Sequence, residues 1–190
     1  MKYFWQEEED ETSWILPVIL DKNIPMSYTK DPGKEINDKL EAIFKYIKGT
    51  RNFILVISNR TAFVNSLFYY IGITWMTNYN KTFEIVDLGH IKEDYTLLQK
   101  MEYAPLLMVP YVNTDTYSLR DVRDRVGALL IKRQVRNMPT IIELYSRKAA
   151  PNLTQQEILG LLQSLSSIYG DNCAGSFLDK NSGCKILKLR

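Results

Sequence analysis

The sequence predicts an α/β fold, a three-layer sandwich with a mainly parallel sheet between helices. Three observations lead there. Short apolar, β-branched runs recur along the chain, as buried strands do. Segments with apolar residues at helical spacing lie between them, and strands alternating with helices build βαβ units and parallel sheets. At 190 residues, with 45% hydrophobic and 24% charged residues, the chain can bury the core of one such domain.

The elements follow in order. Pro17, Pro25 and Pro32 punctuate an irregular lead-in over residues 12–34. Ile36, Leu40, Ile43, Phe44 and Ile47 then place one apolar face on a helix from Glu35 to Ile47. Phe53 to Ile57 reads as a first buried strand, and Ala62 to Trp75, apolar almost all round, as a helix covered on several sides. Thr82 to Asp87 alternates as a second strand, and Leu106 to Val109 is a third, closed by Pro110. A helix from Ser118 to about Asn137 carries the stripe Val122, Val126, Leu129 and Leu130, with Asp121 in its first turn, where the helix dipole favours an acid. Thr140 to Leu144 forms a fourth strand behind Pro139. Asn152 and Thr154 open a helix to about Tyr169, and Lys185 to Leu189 is the last strand. In parallel sheets ligands sit beyond the carboxyl ends of the strands, so loops 58–66, 110–117 and 145–152 are the ones where a site is expected.

Charge and composition narrow the function classes. The formal net charge of +2 is too small to imply nucleic-acid binding by itself. It is unevenly spread: residues 1–11 hold Glu7, Glu8, Glu9, Asp10 and Glu11 against Lys2. The expected layout is an acidic, aromatic leader over 1–20, with Phe4, Trp5 and Trp14 flanking the acids, and a single α/β domain over 21–190. An acidic start is not a secretory leader, and Ala62 to Met76, broken by Asn65 and Ser66, is too short to span a bilayer. Cys173 and Cys184 have no partner pair or nearby histidine for zinc, and His90 stands alone. The expectation is a cytoplasmic protein with reduced thiols, no membrane contact, no metal and no cofactor.

The first strand and buried helix sit where a P-loop would be. A phosphate cradle needs glycines so that backbone N–H groups close on the phosphates, a lysine for their charge and a Ser or Thr for magnesium. Laid without a gap onto Asn59-Arg60-Thr61-Ala62-Phe63-Val64-Asn65-Ser66, that pattern leaves Asn59 and Val64 at glycine positions and Asn65 at the lysine; only Ser66 matches. A metal-coordinating site of this kind also ends its third strand in acids. Here the strand ends Val109-Pro110-Tyr111, and the nearest acid is Asp115.

Order and spacing nonetheless resemble the AAA+ ATPase domain of bacterial helicase loaders of the DnaC/DnaI type and their transposon relative IstB. The resemblance covers roughly residues 20–190. It rests on Leu106 to Val109, on Val122 to Leu130 with Arg133 near the helix end, and on Met138-Pro139-Thr140-Ile141-Ile142 opening the next strand. Ile24 to Tyr28 also looks like the family's lead-in. The resemblance implies a central parallel sheet with the P-loop strand in the middle and a history in loading the replicative helicase onto DNA. The departures are equally specific. Tyr145 stands where the family carries a sensor asparagine, no arginine occurs between Arg147 and Arg190, and the leader is shorter than the family's N-terminal domain. Hydrolysis in this class relies on charge stabilisation by lysine, magnesium and an arginine finger, the finger alone being worth about 10³–10⁵ in rate. The degenerate site at Asn59, Asn65, Ser66, Pro110, Tyr111 and Tyr145 is therefore expected to have no ATPase activity.

Three functions are weighed. The first is a non-catalytic interaction subunit, binding an AAA+ helicase loader or the replicative helicase in replication of a chromosome or mobile element. The second is a DNA-binding protein using Arg120, Arg123, Arg125, Lys132, Arg133 and Arg136 on the basic helix with the C-terminal Lys185, Lys188 and Arg190; phosphate contacts and a plain solvated face both fit the helix. The third is an ATPase with a rearranged site built on Ser66 and Asp115.

Overall fold

A computed structural model of the chain describes residues 13–14, 53–59, 61–111, 120–148, 152–178 and 185–189. The predicted helix from Glu35 to Ile47, the proline-rich lead-in from residue 15, the acids of the leader, Asp115 and Cys184 lie outside these residues.

Six strands form one sheet in the order β1-β6-β2-β5-β4-β3: β1 Ser13–Trp14, β2 Phe53–Ser58, β3 Glu84–Ile85, β4 Leu107–Val109, β5 Thr140–Tyr145 and β6 Lys185–Leu189. Every pairing is parallel. β2 lies inside the sheet between β5 and β6, in register Val56 with Glu143 and Leu187. β1 pairs with β6 through Ser13–Lys188 and Trp14–Leu189, so the sheet reaches back into the segment expected to be a leader.

Side-chain alternation on the strands divides the core in two. Ile54, Val56, Met108 and Ile141 face helix α1 (Thr61–Tyr79), burying Val64, Leu67, Phe68, Ile71 and Trp75 against it. Phe53, Leu55, Ile57, Leu107, Val109, Ile142 and Leu144 face the other way. That face is covered by α2 (Leu88–Glu93), α3 (Thr96–Tyr103), α4 (Arg120–Val135), α5 (Gln155–Tyr169) and α6 (Asp171–Leu178). The three-layer α/β/α sandwich expected from the sequence is the fold observed.

Several boundaries differ for physical reasons. The strand expected over Thr82–Asp87 contracts to Glu84–Ile85, because the Asp87 carboxylate accepts from the Gly89 and His90 amides and opens α2 instead. The helices α2, α3 and α6, absent from the sequence reading, are six to eight residues long and show too few turns for periodicity to register. The helix expected over 118–137 is described over 120–135, and Asn137, at φ 53, turns the chain toward Pro139 and β5. At α5 the Thr154 hydroxyl accepts from the Glu157 amide while the Glu157 carboxylate returns to the Thr154 amide, a complete capping box.

Candidate functional site

The carboxyl edge of the sheet, where β2 feeds α1 and β4 and β5 end, is the place the topology reserves for ligand. β2 ends at Ser58 and α1 begins at Thr61, so two residues, Asn59 and Arg60, connect them. Six of the eight positions laid on the phosphate-binding pattern, Thr61 to Ser66, are therefore helix. Within a helix an N–H is committed to the carbonyl four residues earlier, so the amides of Asn65 and Ser66 point along the helix and not into a cradle. Asn65 is exposed and Asn59 half-buried.

Beside this turn lies a residue to which the sequence reading assigned no role. Glu143, in the centre of β5, is 3% exposed. By strand alternation with Ile141 it points to the α1 side of the sheet. Its Oε2 accepts the Tyr111 N–H at 2.8 Å, and Oε1 is buried with no hydrogen-bond partner. Burial pushes the carboxyl up to about 7, against the opposing pull of the Tyr111 amide and of the Thr61 hydroxyl at the start of α1. The signal for it was present in the sequence: a single charge inside the run Ile141-Ile142-Glu143-Leu144, where a buried strand should carry none.

Tyr111 and Tyr145 close the edge from above, their ring centroids 5.1 Å apart at 38°. Pro110 is half-buried beside them and ends β4 before it can carry an acid. Ser58 and Ser146 are buried under the same edge, the Ser146 amide donating to the Ser58 carbonyl at 2.9 Å. Of the six residues expected at a degenerate nucleotide site, the structure brings Asn59, Pro110, Tyr111 and Tyr145 to one edge. Asn65 and Ser66 lie one turn and more along α1.

The basic helix α4 does not present one cationic face. Arg133 is fully buried. Its Nε donates to the Thr140 hydroxyl at 3.0 Å, Nη1 to the Met101 and Ala104 carbonyls at 2.8 and 2.9 Å, and Nη2 to the Pro139 carbonyl at 2.6 Å. Desolvation lowers it to about 10, so it remains a cation, spent inside the fold; the expectation that it reaches DNA or a partner is corrected. Arg123 is also withdrawn, at 6% exposure. Lys132 and Arg136 converge on Glu102 at 3.1 and 2.6 Å and hold that carboxylate well below its usual range. Arg125 pairs with Asp121 at 3.1 Å and lies 4.4 Å above the Tyr95 ring. Arg120 is exposed.

Other chemistry-bearing groups form no site. His90 is exposed beside Asp87 at 3.6 Å. Cys173 is buried, its thiol pushed up to about 12 by desolvation. Among the described residues no cluster of His, Cys, Asp and Glu could hold a metal, and no helix is long and apolar enough to cross a membrane.

No protein-family model matches this chain, and no curated protein sequence matches it. Solved structures do. The crystal structure of the DnaC helicase loader superposes with a TM-score of 0.52 at 14% identity, over 80% of this chain and 89% of that one. A proposed primosome component from Streptococcus pyogenes serotype M3 gives a TM-score of 0.41 at 10% identity, over 77% of this chain and 87% of that one. The first likeness shows that the chain shares the overall fold of that helicase loader structure.

Proposed function

We propose that this chain is a non-catalytic interaction subunit of a DNA replication system, of a chromosome or a mobile element, that binds an AAA+ helicase loader or the replicative helicase. The observation that carries the reading is the two-residue connection between β2 and α1. A P-loop protein keeps an open, glycine-rich loop at this place so that several amides converge on phosphate. Here the same stretch is wound into α1 from Thr61 onward, and Glu143, Tyr111 and Tyr145 fill the adjoining edge. A helix started this early supports a reading in which the fold serves binding through its outer surfaces rather than through nucleotide. The partner class is taken from the helicase loader whose fold the chain shares.

The DNA-binding reading loses its best cations, since Arg133 and Arg123 are buried and Lys132, Arg136 and Arg125 are ion-paired. The rearranged ATPase would place Ser66 at the magnesium from within a helix.

The test is calorimetric titration of the purified chain with ATP and ADP plus magnesium, beside an ATPase assay and copurification with loader and helicase from the source cells. Silence with nucleotide and recovery of an AAA+ protein or a helicase is the expected result. Turnover, or copurification with neither partner, overturns the reading.

A further inference from the structure

The amino end of α1 is a place of partial positive charge, because the first turn of a helix leaves N–H groups without intrahelical acceptors. In a protein that binds phosphate there, the ligand supplies the anion. No residue of the first turn of α1 is acidic, so this helix brings no counter-charge of its own. One arrives across the sheet. Glu143 lies 97% buried on β5, bridges to the Tyr111 amide at the end of β4, and is close enough to Thr61, the first residue of α1, for that hydroxyl to favour its charged form. Its Oε1 has no partner of hydrogen-bonding geometry.

We propose that the Glu143 carboxyl is an internal anion that takes the place of a ligand's phosphate at the amino end of α1, and so closes the carboxyl edge of the sheet to phosphate-bearing ligands. This deepens the non-catalytic reading by naming the residue that refuses the ligand. It draws on two geometric features, depth of burial and an amide held from the neighbouring strand end, and the Thr61 hydroxyl's effect on the carboxyl agrees with them. A buried carboxylate and a phosphate 4 Å apart repel strongly at protein dielectric, so the edge accepts one anion and not two. The groups facing Glu143 leave its charge uncompensated. Tyr111 follows β4 and Tyr145 lies two residues along β5, while Tyr169 on α5, across the sheet on its other face, feels the carboxylate as a like charge; among the described residues no lysine or arginine pairs with it. Its proton therefore decides how much anion the edge already holds.

The experiment uses the full chain, labelled with nitrogen-15, with amide shifts followed from pH 5.5 to 8.5 and inorganic pyrophosphate as the probe. In the wild type the Tyr111 and Thr61 amides should titrate together with one midpoint near neutrality, and pyrophosphate at pH 8 should leave them unmoved. E143Q keeps the side-chain volume and an acceptor oxygen for the Tyr111 amide but removes the charge. In it the shared titration should vanish, and pyrophosphate should move the same amides with an affinity at least tenfold above that of the wild type. E143A, which also opens space, should bind at least as tightly. The proposal is overturned if the two amides do not titrate together, or if neither variant gains affinity for pyrophosphate. Those failures would leave the non-catalytic reading standing, whereas tight pyrophosphate binding by the wild type at pH 8 would bring down both.

Discussion

Two buried charged residues carry most of what is particular to this molecule, and they behave oppositely. Arg133 is paired: its bonds to Thr140, Met101, Ala104 and Pro139 tie the end of α4 to the end of α3 and the start of β5. Arg133→Ala leaves several carbonyls buried without donors, and breaking a buried charged network in this way costs about 3–5 kcal/mol. Urea denaturation should show a loss of that size, and a loss under 1 kcal/mol would mean water replaces the guanidinium. Glu143 is under-paired. Its folded value of about 7 lies above the ordinary 4.5, so the native state holds the proton more tightly than the unfolded chain. The stability linked to that proton is fully present below about 4.5 and is lost as pH rises through about 7. E143Q should therefore melt with the wild type at pH 5 and several degrees above it at pH 8; parallel profiles would place the charge in a better-solvated setting than the fold suggests. The lone charge of Glu143 inside an apolar strand was a legible signal, but the role of Arg133 was not. A sequence gives the identity of a charged residue but not its depth, and Arg133 read as one more cation on a basic helix until the carbonyls around it were known.

Among the elements, legibility followed length and apolarity. β2, β4, β5 and β6 were found to within a residue or so, because a run such as Phe53 to Ile57 is buried along its whole length and must be apolar on both faces. α4 announced itself by a stripe and α5 by the capping residues Asn152 and Thr154 before it. α2 and α3 did not: the chain from Leu88 to Tyr103 buries only Leu88, Ile91 and Met101, too few to show a period. The helix expected from Ala62 begins at Thr61, so most of 58–66, expected as a loop because it follows a strand's carboxyl end, is helix; the stretch lacks the glycines that would keep it open. How elements meet can be tested at Gly127 of α4. A Cβ there would lie 2.0 Å from the Tyr169 carbonyl oxygen at the end of α5, a backbone atom with nowhere to go. Gly127→Ala should force the two helices apart at about 1–3 kcal/mol, with the loss seen in thermal melting. An unchanged melt would show the α4–α5 crossing to be looser than this approach requires.

At the scale of the whole molecule, the mainly parallel sheet and the three layers were predictable from alternation of elements, and the inner place of β2 from resemblance; the strand order itself was not. The shared fold with a helicase loader structure agrees with this architecture. What no pattern gave was the destination of the charges. Apart from the exposed Arg120, the cations of α4 are buried or ion-paired, so this helix carries no extended positive face. Any binding to duplex DNA should be weak, with a log–log salt slope near that of one or two phosphate contacts, roughly −1 to −2. A slope several times steeper in a fluorescence titration would restore the basic helix as a DNA surface. The short connection between β2 and α1 has one more consequence, and it is mechanical. A subunit that responds to nucleotide needs a loop at this place long enough to change shape as phosphate comes and goes. A subunit whose central strand runs into its helix through two residues has no such joint. Under the proposed reading as an interaction subunit, the chain would meet its partner with one fixed shape, whatever the nucleotide state around it.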